Sequence, residues 1–291
     1  MPSKILPITI KQAIKTAITK LKPSLQKEAF LDALILLEYI TKKNRSWILA
    51  HDEEFLTKSQ ISSYKKLTAK RSNNWPIAYL TGEKYFYGYK FLVNKNVLIP
   101  RPESELIVEI VLNKINKSNK VFSLIDIGTG SGCLIISALL EDKSKKINKA
   151  IAIDISAKAL STAKINAKNY SLSKKINFIK NNLLTNIDFK PDTKTDELII
   201  LANLPYLTPL QMEEPSIKHE PKLALLAKPD GLSLYRELNE QLILIKKYYK
   251  KPITLICEIN PEQKIGLKKV FPNTEFRKDL AKKIRLGIVK L

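Results

Sequence analysis

Cysteine, histidine, methionine and tryptophan each occur only twice in the 291 residues. Cys133 and Cys257 stand far apart on stretches that read as core elements, which excludes a disulfide framework and a Cys/His metal cluster, so no metal is expected. A reducing compartment fits, and the cytoplasm is expected. Long apolar runs are also missing. The longest, such as Leu198 to Ala202, fall far short of the roughly eighteen residues a bilayer span needs, so no membrane partner is expected. Arginine supplies only six of the fifty basic residues behind the net charge of +22. Clustered Lys and Arg would point to nucleic acid, but these lysines are spread along the chain among Asn and Ile. A solvated lysine coat is the reading adopted, with nucleic acid not expected as the direct substrate. The first 27 residues lack any acid, yet they use lysine rather than arginine and read on into more helix, which favours domain structure over a transit peptide.

Glycine is scarce as well, with eight in the chain, and three of the eight are Gly128, Gly130 and Gly132. They follow an apolar, β-branched run from Phe122 to Ile127 and precede an apolar helical run from Leu134 to Leu140, so they occupy a strand-to-helix turn. Glycine permits positive φ and lets a ligand approach the backbone, and the helix start offers free N–H groups. A dinucleotide fingerprint would need its third glycine at Cys133, and a phosphate-cradling loop would need a Gly-Lys-Ser/Thr ending, so neither phosphate motif fits. What stands here, Asp126-Ile127-Gly128-Thr129-Gly130-Ser131-Gly132, resembles the first motif of class I S-adenosylmethionine-dependent methyltransferases. Alone, it could equally be a glycine turn of another doubly wound protein.

A second apolar strand, Ala150 to Ile153, ends in Asp154, 24 residues after Gly130. Doubly wound folds place there an acid that accepts hydrogen bonds from ribose hydroxyls, although such an acid can also cap the helix that begins near Ala157. The next strand, Ile176 to Ile179, leads to Asn181, Asn182 and Leu183, where a methyltransferase would surround an adenine ring.

From about residue 119 strands and helices alternate: strands over 122–127, 149–154, 176–179, 197–202, 252–259 and 284–290, helices over 134–141, 157–168, 232–250 and 262–270. Alternation of this kind argues an α/β fold built on a doubly wound, Rossmann-like sheet. A polar loop is expected from Lys190 to Asp196. Ahead of the sheet, Ile10, Ile14, Ile18 and Leu21 share a helical face. Phe30, Leu31, Leu34 and Leu37 make an apolar stripe over Glu28 to Ile40, and Ser59 to Arg71 makes another helix, so residues 1–75 read as a small all-helical domain. Residues 76–118 read as a linker. Its aromatic stretch from Tyr79 to Val97 has β-hairpin composition, and its Ile99-Pro100-Arg101-Pro102 loop precedes a helix from Leu106 to Ile115. Two prolines leave Arg101 little choice of direction, which suits a charge held for a site. Pro102, Glu103 and Glu105 equally suit a plain helix N-terminus. Residues 119–291 form the expected catalytic domain.

The strand from Glu197 to Ala202 runs into Asn203-Leu204-Pro205-Tyr206, placing an amide at the carboxyl end of a central strand, where open α/β sheets bind ligands. This resembles the N-P-P-Y motif of methyltransferases that act on planar NH2 groups. Such a nitrogen is a poor nucleophile. Two acceptors, the Asn203 side-chain oxygen and the Leu204 carbonyl, can take its N–H bonds, while Tyr206 can stack on the planar group. A strand-ending turn made of turn residues is the bland alternative.

Taken together, the chain resembles the release-factor glutamine methyltransferases, the PrmC/HemK family. The resemblance runs through the helical start, Tyr85-Phe86-Tyr87-Gly88, Ile99 to Glu105, Asp126 to Gly132, Asp154, Asn203 to Tyr206, Glu220-Pro221, Leu223 to Leu225, Asp230 to Leu232 and Tyr235-Arg236. It implies a monomeric enzyme that methylates the glutamine of the Gly-Gly-Gln tripeptide in class 1 peptide release factors, with the helical domain docking the partner. The implied cofactor set is Asp126, Gly128, Thr129, Gly130, Ser131, Gly132, Asp154, Asn182, Leu183 and Asn203. Asn203, Pro205 and Tyr206 are the implied catalytic set, with Leu204 and Arg101 beside the substrate. Three positions depart from the family: Leu204 replaces a proline, Asn260 a glycine, and Leu183 a frequent aromatic. Leu204 gives the N-L-P-Y of ribosomal RNA adenine dimethyltransferases, which makes an RNA base the runner-up acceptor. Those enzymes carry their extra helices after the catalytic domain rather than before it. A ribosomal-protein glutamine is a further alternative, and a cofactor-binding scaffold without catalysis would predict damage to the glycine loop or Asn203, which is not seen.

Overall fold

A computed structural model describes residues 7–25, 28–187, 194–227 and 230–291, so the loop expected over Lys190 to Asp196 lies partly outside the described residues. The chain divides into two compact units, Met1–Gly82 with Glu214–His219, and Glu83–Glu213 with Glu220–Leu291. The segment 76–118 is shared between them.

In the first unit, α1 (Ile10–Leu25), α2 (Ala29–Thr41), α3 (Arg45–Ala50), α4 (Lys58–Ser72) and α5 (Ile77–Thr81) follow one another. On α1 the buried residues Ile10, Ala13, Ile14, Ala17 and Leu21 recur at helical spacing. The helix starts are set by side chains that satisfy free N–H groups. Asn44 accepts from Trp47 N, and Thr57 exchanges hydrogen bonds with Gln60 in a capping box. The apolar stripe read on α2 is shifted: Phe30 and Leu31 are exposed, and the buried face is Ala29, Ala33, Leu34, Leu36 and Leu37. The alanines let neighbouring backbones approach, which a count of large apolar residues does not register. Asp32 is buried on this face and pairs with Arg71 Nε at 2.7 Å, tying α2 to α4. Burial raises its carboxyl above the usual range against the pull of that guanidinium. Tyr79, read as hairpin, lies instead in α5, which Gly82 ends in a left-handed cap.

The second unit opens with a hairpin of β1 (Glu83–Phe86) and β2 (Tyr89–Leu92). Its two-residue turn, Tyr87-Gly88, has positive φ at both positions, the geometry that matches strand twist. After α6 (Glu105–Asn116) come β3 (Phe122–Ile127), α7 (Cys133–Glu141), β4 (Ile147–Asp154), α8 (Ala157–Asn169), β5 (Ile176–Lys180) and β6 (Glu197–Ala202). Then follow α9 (Lys222–Leu225), α10 (Ser233–Lys246), β7 (Ile253–Glu258), α11 (Lys264–Val270), β8 (Thr274–Lys278) and β9 (Ile284–Lys290).

The seven strands lie in the order β5-β4-β3-β6-β7-β9-β8, parallel except where β9 runs antiparallel between β7 and β8. Alternate residues of the central strands feed two separate cores. Ile125, Ile127 and Ile200 join Tyr235, Leu238 and Leu242 of α10 on one face, while Phe122, Leu124, Ile199 and Leu201 join Val108 and Ile135 on the other. Each such aliphatic side chain stabilises by about 1.5–3 kcal/mol on burial. The doubly wound sheet expected from the alternation is therefore present, with one strand added. Thr274–Lys278 is an edge strand with the sequence TEFRK, too polar to stand out. The chain reverses direction of travel across the sheet between the neighbours β3 and β6, and the carboxyl ends of β3, β4, β6 and β7 meet there. Among the described residues, no helix is long and apolar enough to cross a membrane.

Candidate active site

At the end of β3, Gly128, Gly130 and Gly132 all take positive φ, at 71°, 55° and 81°. The N–H groups of Gly128 and Thr129 both donate to the Ile153 carbonyl, which pins the loop to the end of β4. A Cβ on Gly132 would stand 3.0 Å from Ile136 Cδ1 and 3.2 Å from Ala163 Cβ, so this glycine lets α7 and α8 close together. Beneath the loop, Asp126 is fully buried. One of its oxygens accepts from Thr129 Oγ1 at 2.6 Å, and among the described residues no hydrogen bond within 3.5 Å ends on the other, Oδ1. Burial pushes its carboxyl up to about 7, the Asp154 charge adds to the shift, and the Thr129 hydroxyl acts against it.

Asp154 turns one oxygen to Gly130 N at 2.9 Å and the other to Ser156 N at 2.8 Å. The helix cap read as its alternative role falls instead to Ser156, whose side chain accepts from Ala159 N, and two of the roughly four lone-pair positions of the Asp154 carboxylate are used by Gly130 and Ser156. Asp154 lines a cavity of about 290 Å³ together with Gly128, Thr129, Gly130, Ser131, Asn182 and Leu183. Asn182 is not free to turn inward, since its Nδ2 donates to Glu237 on α10 at 2.8 Å. The buried Leu183 takes φ of 48°.

The Asn203 motif closes the same cavity. Asn203, Leu204 and Pro205 line it, whereas Tyr206 faces a neighbouring groove of about 660 Å³ bordered by Gln211, Asp230, Arg236 and Gln263. Asn203 Nδ2 donates to Ser104 Oγ and to Glu258 Oε2, both at 3.0 Å. Ser104 Oγ in turn donates to the same Glu258 oxygen at 2.5 Å, and Tyr206 donates to Glu258 Oε1 at 3.2 Å. The amide nitrogen is thus committed, and among the described residues no hydrogen bond ends on Asn203 Oδ1 or on the Leu204 carbonyl. Two consecutive residues just past the end of β6 thus each keep an unpartnered acceptor, and both line the cavity. Burial raises both the Glu258 carboxyl and the Tyr206 phenol above their usual ranges, with Ser104 and Tyr206 pulling Glu258 back.

Arg101 borders the cavity, but its guanidinium Nη2 is engaged at 2.5 Å by Glu220, whose other oxygen accepts from Ile99 N at 3.1 Å. The proline-flanked loop is therefore fastened to the segment ahead of α9 by one buried carboxylate. Sequence reasoning gave no role to Ser104, Glu220 or Glu258. For Glu258 a signal existed: like Asp126, Asp154 and Asn203, it is a polar residue at the carboxyl end of an apolar strand. Among the described residues, no group of three or more His, Cys, Asp or Glu side chains could hold a metal ion.

Residues 12–82 match the family described as PrmC N-terminal domain, and residues 108–203 match one described as Methyltransferase domain. A release factor glutamine methyltransferase of Mycoplasma mycoides is 36% identical over 270 residues, covering 85% of this chain and 88% of that protein. The chain belongs to the release factor glutamine methyltransferase family. It is also 32% identical over 291 residues to a bifunctional methyltransferase of Rickettsia prowazekii, across 93% of this chain and 54% of that protein. This member of the family thus spans about half the length of those relatives. In fold it is similar to the hMettl16 catalytic domain, solved in complex with MAT2A 3'UTR hairpin 6, at 14% identity over 87% of this chain with a TM-score of 0.54.

Proposed function

We propose that the protein transfers a methyl group from S-adenosylmethionine to the side-chain amide of the glutamine in the Gly-Gly-Gln tripeptide of class 1 peptide release factors. The observation that carries this reading is the pair of unpartnered acceptors, Asn203 Oδ1 and the Leu204 carbonyl, beside a cavity floored by the glycine loop. A planar NH2 group has two N–H bonds to give, and a hydroxyl or thiol acceptor would leave one of these oxygens unmatched.

The cavity suits a cofactor with a cationic amino-acid end. Asp154 lines it with a carboxylate, Asp126 lies buried beneath the loop with an oxygen unpartnered among the described residues, and the glycines keep side chains out of the approach. Gly128 to Gly132, Asp154, Asn182, Leu183 and Asn203 would hold it. When bound, S-adenosylmethionine supplies a methyl group on a sulfonium that departs with the bonding electrons. The chain's own part is to orient. Asn203 Oδ1 and the Leu204 carbonyl fix the acceptor nitrogen by its two hydrogens and Pro205 stiffens the segment, while Tyr206, which faces the neighbouring groove, borders the approach from that side. No strong base is required: the nitrogen bonds the methyl carbon as the carbon–sulfur bond breaks, and the methylated, positively charged nitrogen then gives one of its two protons to water.

The relative from Mycoplasma mycoides bears the name release factor glutamine methyltransferase, which supports the choice of acceptor. Incubation with labelled S-adenosylmethionine and either a purified release factor or ribosomal RNA tests the reading. Label is expected in the release factor, and label confined to RNA would overturn it.

A further inference from the structure

Glu258 ends β7, and it is 2% exposed. Three donors from two loops converge on its carboxylate: the Ser104 hydroxyl, the Asn203 amide and the Tyr206 phenol. Among the described residues no Lys or Arg forms an ion pair with it. Burying a carboxylate on neutral donors costs stability relative to an apolar side chain of similar size, so the arrangement calls for another reason.

That reason lies in the symmetry of the asparagine side chain. An Asn amide has nearly the same shape when its oxygen and nitrogen are exchanged, and only its partners decide which way it faces. An ionised Glu258 is acceptor-only, and Ser104 spends its single hydrogen on Glu258, so both groups facing the Asn203 nitrogen are acceptors. The flipped amide would set oxygen against oxygen. It would also present N–H bonds to the acceptor nitrogen, which needs the opposite. The same carboxylate holds Tyr206 by its hydroxyl, so the two ends of the motif are set together.

We propose that Glu258 is a positioning residue for methyl transfer, which locks the Asn203 amide with Oδ1 toward the acceptor group and fixes Tyr206 in the same act. The inference rests on the methyltransferase reading above and deepens it. Ser104 is the relay that makes the lock two-sided, and it gives the proline-flanked loop a task at the site besides holding Arg101. Other charges face the carboxyl: Glu103 from the turn before α6 raises its proton affinity, while Arg285 from β9 lowers it. The Tyr235 hydroxyl meets Glu258 at its backbone carbonyl, 2.6 Å away, and lies 3.2 Å from the Ala202 carbonyl.

The test compares Glu258→Leu, which keeps the volume and removes every acceptor, with Glu258→Gln, which can still satisfy one side. Rates of methyl transfer to a release factor, cofactor affinity and melting temperature are measured for each. We expect kcat to fall by on the order of a hundredfold in Glu258→Leu and about tenfold in Glu258→Gln. Cofactor affinity should stay within about threefold, since the glycine loop and Asp154 are untouched. Wild-type kcat should also fall on acidification as Glu258 takes up a proton, a limb that Glu258→Gln lacks. A folded Glu258→Gln and Glu258→Leu with wild-type kcat and an unchanged pH profile would overturn the proposal. Side-chain amide NMR of selectively labelled asparagine reads the lock without any acceptor. The Asn203 NH2 protons should exchange slowly in wild type and rapidly in Glu258→Leu, and equal exchange in both would sink the proposal. If wild type labels no release factor, the functional reading fails, and the NMR comparison still decides the role of Glu258.

Discussion

Gly128 stands directly against Leu204: a Cβ on Gly128 would lie 3.3 Å from Leu204 Cδ2 and 3.8 Å from the Asn203 carbonyl oxygen. The glycine loop and the Asn203–Leu204 segment thus form one surface. Gly128→Ala should therefore damage both. Its φ of 71° adds about 1 kcal/mol of backbone strain, and the methyl group crowds Leu204. Calorimetric titration should show cofactor affinity weakened by about tenfold or more. Gly82→Ala is the control, with a similar φ of 79° and nothing within 4 Å, and it should lose stability while leaving cofactor affinity intact.

Leu204 lies beyond Ala202, the last residue of β6 to pair in the sheet. Leu204→Pro therefore removes no ladder hydrogen bond, although the Leu204 N–H faces the Tyr235 hydroxyl and a proline forfeits that contact. Methyl transfer should change only modestly, with a small drop in melting temperature. Asn203→Ala should lower kcat by on the order of a hundredfold or more, since it deletes one of the two acceptors. A folded Leu204→Pro that gained glutamine methylation from a near-zero baseline would shift the acceptor toward RNA.

Asp126 makes stability pH-dependent in a direction opposite to that of a salt-bridged acid. Its folded-state carboxyl is raised from the usual 3.8 to about 7 by burial. Between those values the folded protein keeps a proton that the unfolded chain has lost, so stability falls as pH rises through the window and levels off above it. The ceiling on this contribution is on the order of 4 kcal/mol. Asp126→Asn cannot titrate. Without cofactor, its melting temperature relative to wild type should climb from pH 4 to pH 7, and a difference that stays constant across that range would refute the assignment.

Breaking the Arg101–Glu220 pair should loosen the proline-flanked loop. The Glu220 side chain is 1% exposed and Arg101 is one-third exposed, so Arg101→Ala leaves a buried carboxylate whose one remaining partner among the described residues is Ile99 N. A loss of roughly 1–3 kcal/mol is expected by denaturant melt. Glu220→Gln in the Arg101→Ala background should recover part of it, because no buried charge remains. No recovery would mean that the loss does not come from the unpaired Glu220 carboxylate.

The parts legible in the sequence were those where one strong local signal sufficed. Glycine spacing marked the loop, and an amide after a buried strand marked Asn203. Alternating apolar runs gave the seven-stranded sheet except Thr274–Lys278, whose charges hide a strand that pairs on one side only. Residues defined by distant partners were not legible. Glu258 meets Ser104 from 154 residues away and Glu220 meets Arg101 from 119, and a single sequence carries no trace of such pairings. Phe30 and Leu31 misled for a related reason, because packing on α2 favoured the small Ala29 and Ala33 over larger neighbours.

Tandem mass spectrometry of a release factor after incubation with the protein and S-adenosylmethionine decides the methyl acceptor. A single added methyl is expected on the glutamine of the Gly-Gly-Gln tripeptide, lost when Asn203→Ala replaces the wild type. An unmodified tripeptide glutamine alongside methylated ribosomal RNA adenine would overturn the glutamine assignment.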